Sequence, residues 1–229
     1  MRLKFFLLVP LAAATVAAQP YYLVYLRPDP ARARIEKEDG DRIMAAHMAN
    51  IHKMADDGVL KAAGPFDDTP STISGIFVMQ ADTFEAAKRI AAQDPTVLAH
   101  RNTVDVHVWN APAGIGDAYF KLHKADPKTP EGMAIHPYVV LLPGPNWEAG
   151  APSIAEHDRY VQSLRTQKKL AAAGSIEAPD DEFAVVVFRP AVAMEDVQRL
   201  MDDDPAVKAG VIKAEYHKWW CAAHVLPWE

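Results

Sequence analysis

Histidine and aspartate residues recur at matched positions in this sequence, and together they could transfer protons. His47 precedes Asp94 by the same number of residues as His157 precedes Asp204. A carboxylate that accepts a hydrogen bond from one imidazole nitrogen fixes the tautomer and leaves the other nitrogen to move a proton. The four residues are therefore candidate catalytic residues. The alternative is structural: each histidine could lie on an apolar helix face, and each Asp-Pro step could simply end a helix.

The two pairs recur because the chain contains one stretch twice. Residues 47–109 align with residues 157–219 at a constant offset of 110, without a gap. Further matches are Leu60 with Leu170, Gly64 with Gly174, Pro95 with Pro205, Val97 with Val207, and Trp109 with Trp219. Self-similarity at a fixed offset predicts tandem copies of one structural unit.

The elements of the first copy follow from its hydrophobic pattern and turn residues. Apolar residues on one helical face around His47 predict a first helix that ends at Gly58, and Thr83 is a plausible N-cap for a second. The predicted strands are Tyr21–Arg27, Val59–Ala63, Ile73–Gln80 and Val104–Trp109. The order is β-α-β-β-α-β, which is the ferredoxin-like order.

The second copy repeats this order. Its predicted helices run from about Ser153 to Ala172 and from Met194 to Met201. Its predicted strands are Tyr138–Leu142, a strand near Ser175, Phe183–Arg189 and Val211–Trp219. Each unit has helices on one face of an antiparallel sheet, so the other face needs a cover. We expect an α+β fold in which two ferredoxin-like repeats cover each other as an intrachain pseudo-dimeric α/β barrel.

The first 18 residues have the layout of a secretory signal peptide. Arg2 and Lys4 precede an apolar run, and small residues end at Ala18. The run is too short to span a bilayer comfortably. We expect cleavage near Ala18, a periplasmic or secreted protein and no stable membrane anchor. The remaining boundaries are a first domain at 19–111, a linker at 112–137, a second domain at 138–223 and a tail at 224–229.

The charge and cysteine content of the chain limit the kinds of molecule that it could bind. The 229 residues include 24 Lys and Arg against 30 Asp and Glu, a formal net charge of -6. An acidic chain with no basic run argues against a nucleic-acid partner. The single cysteine, Cys221, stands where the first copy has Ala111, which favours a packed small residue over a catalytic thiol. The sequence shows no paired Cys/His spacing of the structural-zinc kind, and we expect no cofactor.

The last strand of each copy carries a second set of candidate residues. Alternation places an acid, a histidine and a tryptophan on one face, in the first copy opposite a face of valines. These candidate ligand-binding residues are Asp105, His107, Trp109, Glu215, His217 and Trp219. The tryptophans could stack on a planar ligand in the space between the sheets. The alternatives are an interface between the copies with satisfied polar pairs, or, less favoured, a metal site where His107 faces His217.

The repeated motifs resemble a known family. A helix histidine, a Leu-x-Ala-Ala-Gly segment and an Asp-Pro-x-Val-x-Ala segment resemble the YCII-related domain, a branch of the dimeric α/β-barrel proteins that includes muconolactone isomerase-like enzymes. The segments stand at residues 60–64 and 94–99 in the first copy, and at 170–174 and 204–209 in the second. The resemblance implies that the helix histidine and the Asp-Pro aspartate form a candidate catalytic dyad, here His47 with Asp94 and His157 with Asp204.

The resemblance also implies a reaction class. We expect an isomerase, lyase or dehydrohalogenase type of proton transfer on a small cyclic or aromatic acid, with no cofactor. The alternative is a non-catalytic module of the cell envelope that binds a small ligand or another protein. Association of two or more chains is compatible with either function.

Overall fold

The fold is seen in a computed structural model, which describes residues 20–68, 72–149, 151–177 and 184–228. The predicted signal peptide and Phe183 lie outside the described residues. Within these ranges no helix is both long and apolar enough to cross a membrane.

The first half contains the predicted elements in the predicted order. They are β1 (Tyr21–Pro28), α1 (Lys37–Asp56), β2 (Leu60–Pro65), β3 (Gly75–Gln80), α2 (Phe84–Ala91), α3 (Pro95–Leu98) and β4 (Asn102–Asn110). Gly58 follows α1 with a φ of 74°, a left-handed conformation that glycine adopts without strain. The Thr83 side chain accepts a hydrogen bond from the Ala86 amide and so caps α2. The Asp-Pro pair follows α2 and also starts the short helix α3, with Asp94 as the N-cap and Pro95 as the first helical residue.

The second half repeats this series after one additional helix. Its elements are α4 (Asp117–Ala125), β5 (Ala134–Pro143), a 3-10 turn (Trp147–Ala149), α5 (Ala151–Thr166), β6 (Leu170–Glu177), β7 (Ala184–Phe188), α6 (Met194–Asp202), α7 (Pro205–Lys208) and β8 (Ile212–Cys221). The predicted extension of the α5 helix to Ala172 is wrong. Lys168 has a φ of 58°, which ends the helix, and Leu170 already pairs with Phe188 in the sheet.

The segment between the two halves has structure of its own. Residues 112–137 contain helix α4 and the beginning of β5. The Gly116 amide donates to the Val225 carbonyl at 2.7 Å, and the Tyr119 amide donates to the His224 carbonyl at 3.2 Å. The segment therefore packs against the residues that follow the last strand.

The eight strands of the described residues form one antiparallel sheet. The order is β2-β3-β1-β4 in the first half and β6-β7-β5-β8 in the second, and β4 pairs with β6 where the halves join. The two outer strands approach each other at a bridge between Phe66 and Trp219. The Asp67 amide also donates to the Lys218 carbonyl there. The sheet thus closes into the pseudo-dimeric α/β barrel that the sequence predicts.

The two faces of the sheet form separate cores. Val104, Val106 and Val108 of β4 face the helices of the first half, as predicted. The opposite face lies inside the barrel, where side chains of both halves pack together. Members of this shared core include Leu23, Tyr25, Trp109, Tyr138, Val140, Trp219 and Cys221. Because both halves contribute, neither half has a complete core alone.

Two equivalent glycines allow the halves to approach closely. A Cβ atom on Gly64 would lie 2.0 Å from the Trp220 carbonyl oxygen, and one on Gly174 would lie 2.3 Å from the Asn110 carbonyl oxygen. Trp220 and Asn110 are themselves equivalent at the offset of 110. The repeated Ala-Ala-Gly motif therefore serves the contact between the halves.

Candidate functional site

The structure brings His47 and Asp94 together. Nδ1 of His47 lies 2.8 Å from Oδ2 and 2.9 Å from Oδ1 of Asp94. Asp94 is fully buried, whereas 12 % of the His47 side chain is exposed. The carboxylate therefore holds one side of the imidazole, and a small part of the ring remains exposed to solvent.

Local sequence positions the carboxylate. Asp94 is the N-cap of α3 and accepts from the Thr96 amide at 3.0 Å and the Thr96 hydroxyl at 2.6 Å. Asn50 lies on the same face of α1 as His47, almost one turn later, and its amide donates to Asp94 at 3.1 Å. Three neighbours thus fix the orientation of one carboxylate.

These contacts decide the charge of Asp94. Burial opposes ionisation, but hydrogen bonds from His47 and Thr96 and the attraction of His47 together keep the pKa of the Asp94 carboxyl below its usual value. An ionised carboxylate only accepts hydrogen bonds, so Nδ1 of His47 carries the proton in the neutral imidazole. The lone pair then resides on Nε2, which has no hydrogen-bond partner within the described part of the chain.

The second half contains the corresponding pair. Nδ1 of His157 lies 2.6 Å from Oδ2 of Asp204, which caps α7 by accepting from the Ala206 amide at 2.8 Å. Both side chains are buried, with 4 % of His157 exposed. Tyr160 stands in place of Asn50 and instead donates to the Leu200 carbonyl at 2.8 Å. Asp204 therefore lacks the side-chain amide that supports Asp94.

His47 lines a cavity of about 500 Å³ in the first half. Its walls are mostly apolar and come chiefly from α1, β2, β3, α4, the segment before β5, and the end of β8 with the residues that follow it. They include Met44, Met48, Ile51, Ile76, Phe77, Tyr119, Phe120 and Trp220. Lys61 is the one lysine or arginine and Glu131 the one carboxylate among the described lining residues, and no carboxylate of the described chain forms an ion pair with Lys61. The cavity has the size and character of a small-molecule site.

His157 lines a smaller cavity of about 380 Å³ in the second half. Its walls carry Asp158, Gln162 and Ser175 beside valine and alanine side chains, and Trp228 from the end of the chain closes part of it. The two histidines thus face cavities of different size and polarity.

The acid, histidine and tryptophan of β4 differ in burial: His107 and Trp109 are buried, whereas 36% of the Asp105 side chain is exposed. Nε2 of His107 is 3.0 Å from Asp105, and Nε of Arg27 donates to Asp105 at 3.2 Å. The hydrogen bond with His107 outweighs burial and, with the charges of His107 and Arg27, lowers the pKa of Asp105. Trp109 is buried and donates to the Gly174 carbonyl at 3.2 Å. These residues make contacts within and between the halves.

The equivalent residues of β8 have different partners. His217 contacts Asp68 of the first half at 2.7 Å and not Glu215, which instead pairs with Lys213 at the surface. Trp219 is buried in the shared core. Neither Trp109 nor Trp219 lines one of the two cavities described above. These contacts place the set at an interface between the halves, although within the described residues the buried Nε2 of His217 and Nε1 of Trp219 have no hydrogen-bond partner.

The barrel interior also joins the halves through two tyrosines. The hydroxyls of Tyr25 and Tyr138 lie 3.0 Å apart, and Tyr25 is in edge contact with His107. Buried Cys221 lies 3.4 Å from Nδ1 of His136, in agreement with its prediction as a packed residue. In the described ranges, no group of three or more His, Cys, Asp or Glu side chains is placed to hold a metal ion.

Several site residues were missed from the sequence. Asn50 and Thr96 differ between the copies, so a search for repeated residues passes over them. The position of Asn50 three residues after His47 is the signal that could have found it. Tyr119 and Phe120 come from the presumed linker, and their place in the cavity wall depends on contacts with the far end of the chain.

Comparison with known proteins supports the domain identity. The family model for the YCII-related domain matches residues 21–110. Residues 21–110 are a YCII-related domain. It contains β1 to β4, and His47 and Asp94 belong to it. The second half repeats its elements and its His/Asp pair at the offset of 110. No curated protein sequence matches the chain significantly.

The chain is also similar to solved structures. A chlorite dismutase candidate, TA0507, is 12% identical, with a TM-score of 0.54 over 88% of this chain and 94% of that one. A monooxygenase candidate from Lactobacillus acidophilus is 11% identical, with a TM-score of 0.46 over 89% and 94%. A heme-binding protein from Thermus thermophilus is 14% identical, with a TM-score of 0.49 over 88% and 91%. At these identities the first likeness supports the fold alone.

Proposed function

We propose that the YCII-related domain catalyses a cofactor-independent proton transfer on a small cyclic or aromatic acid. The observation that carries this proposal is the position of His47. Its Nδ1 is held by the buried Asp94 carboxylate, and its side chain lines a largely apolar cavity of about 500 Å³. An oriented imidazole beside a site of this kind is suited to act as a general base.

The chemistry needs only groups that the chain supplies. Nε2 of His47 takes a proton from a carbon next to an electron-withdrawing group, and the C–H electron pair moves into a new double bond. Asp94 stabilises the imidazolium that forms. Return of the proton to a different carbon gives isomerisation, and departure of a leaving group gives elimination. Both outcomes leave the imidazole neutral after its proton is returned or lost to water.

Lys61 is the reason for proposing an acid as the substrate. Its ammonium group could attract the substrate carboxylate, while Met44, Met48 and Ile51 contact the ring. Bringing an ammonium and a carboxylate together in a site with restricted water strengthens their attraction. The preferred substrate is thus a ring of moderate size with one carboxylate.

The test is exchange of substrate hydrogen with solvent deuterium. The protein is incubated in D₂O with small cyclic and aromatic acids, chosen from those that raise its unfolding midpoint, and exchange at carbon is followed by NMR. Saturation at about 100 times the dissociation constant stabilises the fold by about 2.7 kcal/mol, which is easily detected. His47→Gln should lower exchange by roughly 10²–10⁴-fold and leave the affinity nearly unchanged.

His157→Gln is the matched control. It alters the equivalent histidine in the smaller cavity and should retain most of the exchange. Binding of an acid without exchange in the wild-type protein would reject proton transfer and favour the second candidate, a ligand-binding module, which the size and apolar walls of the first cavity also suit. Exchange that survives in His47→Gln would show that His47 is not the base.

We further propose that the protein is exported. The support is the charge and apolar pattern of residues 1–18. Mass spectrometry of the N-terminus after expression in a bacterium should find a chain that begins near Gln19 in the periplasm or medium. An intact N-terminus in the cytoplasm would contradict export.

A further inference from the structure

The two cavities are built from equivalent residues. Apart from Trp228, every residue that lines the second cavity corresponds, at the offset of 110, to a residue that lines the first. The matched linings are His47 and His157, Met48 and Asp158, Ile51 and Val161, His52 and Gln162, Ala63 and Ala173, Gly64 and Gly174, Pro65 and Ser175, Ser74 and Ala184, Gly75 and Val185, and Ile76 and Val186. The tandem repeat therefore extends to the sites themselves.

One part of the first cavity has no open equivalent in the second. The first cavity also reaches Ala55 and Lys61. Their equivalents, Arg165 and Ala171, contact Trp228 instead: the Trp228 amide donates to the Ala171 carbonyl at 3.1 Å, and the Arg165 guanidinium carbon lies 4.2 Å from the centre of the indole ring. The last tryptophan thus occupies the region that is left open in the first half.

Trp228 is held there by charged groups as well. Nε of Arg189 donates to the Trp228 carbonyl at 2.8 Å, and a second guanidinium nitrogen of Arg189 donates to the same oxygen. Arg165 makes a cation–π contact with the ring. Both arginines are engaged by the chain itself, and Ala171 replaces the lysine of the first half. The second cavity is consequently smaller and lacks the cation equivalent to Lys61.

We propose that only the first half binds the ligand, one molecule per chain, and that Trp228 is the specificity-determining residue that excludes the ligand from the second half. The proposal rests on the proposed function in taking the first cavity as the ligand site. The ligand class is an aromatic anion, because the first cavity presents Lys61 among aromatic walls, and because an indole ring and a carbonyl oxygen bound by arginines fill the equivalent region of the second half. The tail acts as an internal substitute for the ligand in the second cavity.

The test counts binding sites for an aromatic anion. 8-Anilinonaphthalene-1-sulfonate is titrated into the purified wild-type protein, and the stoichiometry is measured by calorimetry and fluorescence. The wild-type protein should bind one molecule per chain. Trp228→Ala should bind two, because loss of the indole opens the second cavity and removes the ring that covers the Arg165 guanidinium. Trp228→Phe retains a ring in the cavity and should still bind one.

A reciprocal substitution tests the first cavity. Ala55→Trp places an indole at the position equivalent to Arg165, beside the open region, and should abolish the single site of the wild-type protein. Combined with Trp228→Ala it should leave one site, now in the second half. Thermal unfolding and circular dichroism of each variant establish that it is folded.

Three outcomes would overturn the proposal: no binding to the wild-type protein, two sites in the wild-type protein, or a single site that persists unchanged in folded Trp228→Ala. None of these requires turnover. Failure of the deuterium exchange together with the expected stoichiometries would reject the catalytic function and retain the one-site arrangement. The two proposals can therefore fail separately.

Discussion

At the scale of single residues, Asp94 carries two functions. It orients His47, and it caps the helix that begins at Pro95. Because Asp94 is fully buried, its charge is tolerated only while these hydrogen bonds are present. The same carboxylate thus connects the candidate chemistry with local stability.

Stability at low pH should report on Asp94. Its pKa is lower in the folded than in the unfolded state, so its contribution is complete above the unfolded value of about 3.9 and is lost as the pH falls through the folded value. Asp94→Asn should cost about 1.5–3 kcal/mol at neutral pH. It should also show a weaker fall in unfolding free energy below about pH 4, measured by urea denaturation at several pH values.

The exposed Asp57 provides the control. It pairs with Lys53 at the surface, and Asp57→Asn should leave the pH dependence nearly as in the wild-type protein. An identical acid dependence in Asp94→Asn and the wild type would show that folding does not lower the pKa of Asp94.

At the scale of elements, the equivalent helices α2 and α6 differ at the N-cap, the residue immediately before the helix. Thr83 caps α2 through its side chain, whereas the equivalent Ala193 cannot cap α6. Thr83→Ala should lower the free energy of unfolding by about 1 kcal/mol. Ala193→Thr should raise it by a smaller amount, since its backbone is already extended. Chemical denaturation measures both, and equal effects of the same sign would contradict the capping role.

Gly64 and Gly174, the glycines at the two contacts between the halves, test how closely the strands pack. A Cβ atom on Gly64 or Gly174 would collide with a backbone carbonyl of the other half, which cannot move without displacing a strand. Gly64→Ala and Gly174→Ala should each lower the unfolding midpoint by many degrees or prevent folding. Gly40→Ala in α1 meets only the tip of Ile35 at 3.7 Å and should stabilise by about 0.5–1 kcal/mol. Thermal unfolding of the three variants distinguishes the sites, and seam variants as stable as Gly40→Ala would contradict this packing.

Elements were predictable where local pattern and long-range packing agree. The apolar periodicity of α1 and the turn at Gly58 identify the first helix from sequence alone. The alanines at 171–173 favour a helix locally, yet pairing with β7 makes them a strand, so tertiary structure overrides propensity. Helix α4 was missed, and its position is fixed by hydrogen bonds to the carbonyls of residues 224 and 225, which are far away along the chain. For the same reason the contribution of Trp228 to the second cavity could not be read from the sequence.

At the scale of the whole molecule, the two seams of the barrel are unequal. Among the described residues, the β4–β6 seam is a regular ladder, whereas the seam between the ends of β2 and β8 has one bridge, reinforced by the contact of His217 with Asp68. Asp68 also accepts from the Lys218 amide at 3.0 Å. This contact between the halves partly replaces the missing ladder.

A double-mutant cycle measures this closure. Asp68→Ala and His217→Ala should each destabilise the protein, and their coupling free energy should be about 1–3 kcal/mol because the pair is mostly buried. Asp67→Ala removes a neighbouring exposed carboxylate while leaving its amide bonded to Lys218, and it should have little effect. Additive effects of the two single variants would show that the pair does not stabilise the seam.

The covalent connection between the halves has a genetic consequence. In a barrel assembled from two identical chains, every mutation enters both halves at once, so a change that benefits one site is imposed on the other. Here each codon specifies one half only, and Lys61 could be kept while its equivalent became Ala171. The fused chain can therefore change one half's site while the other half preserves the barrel.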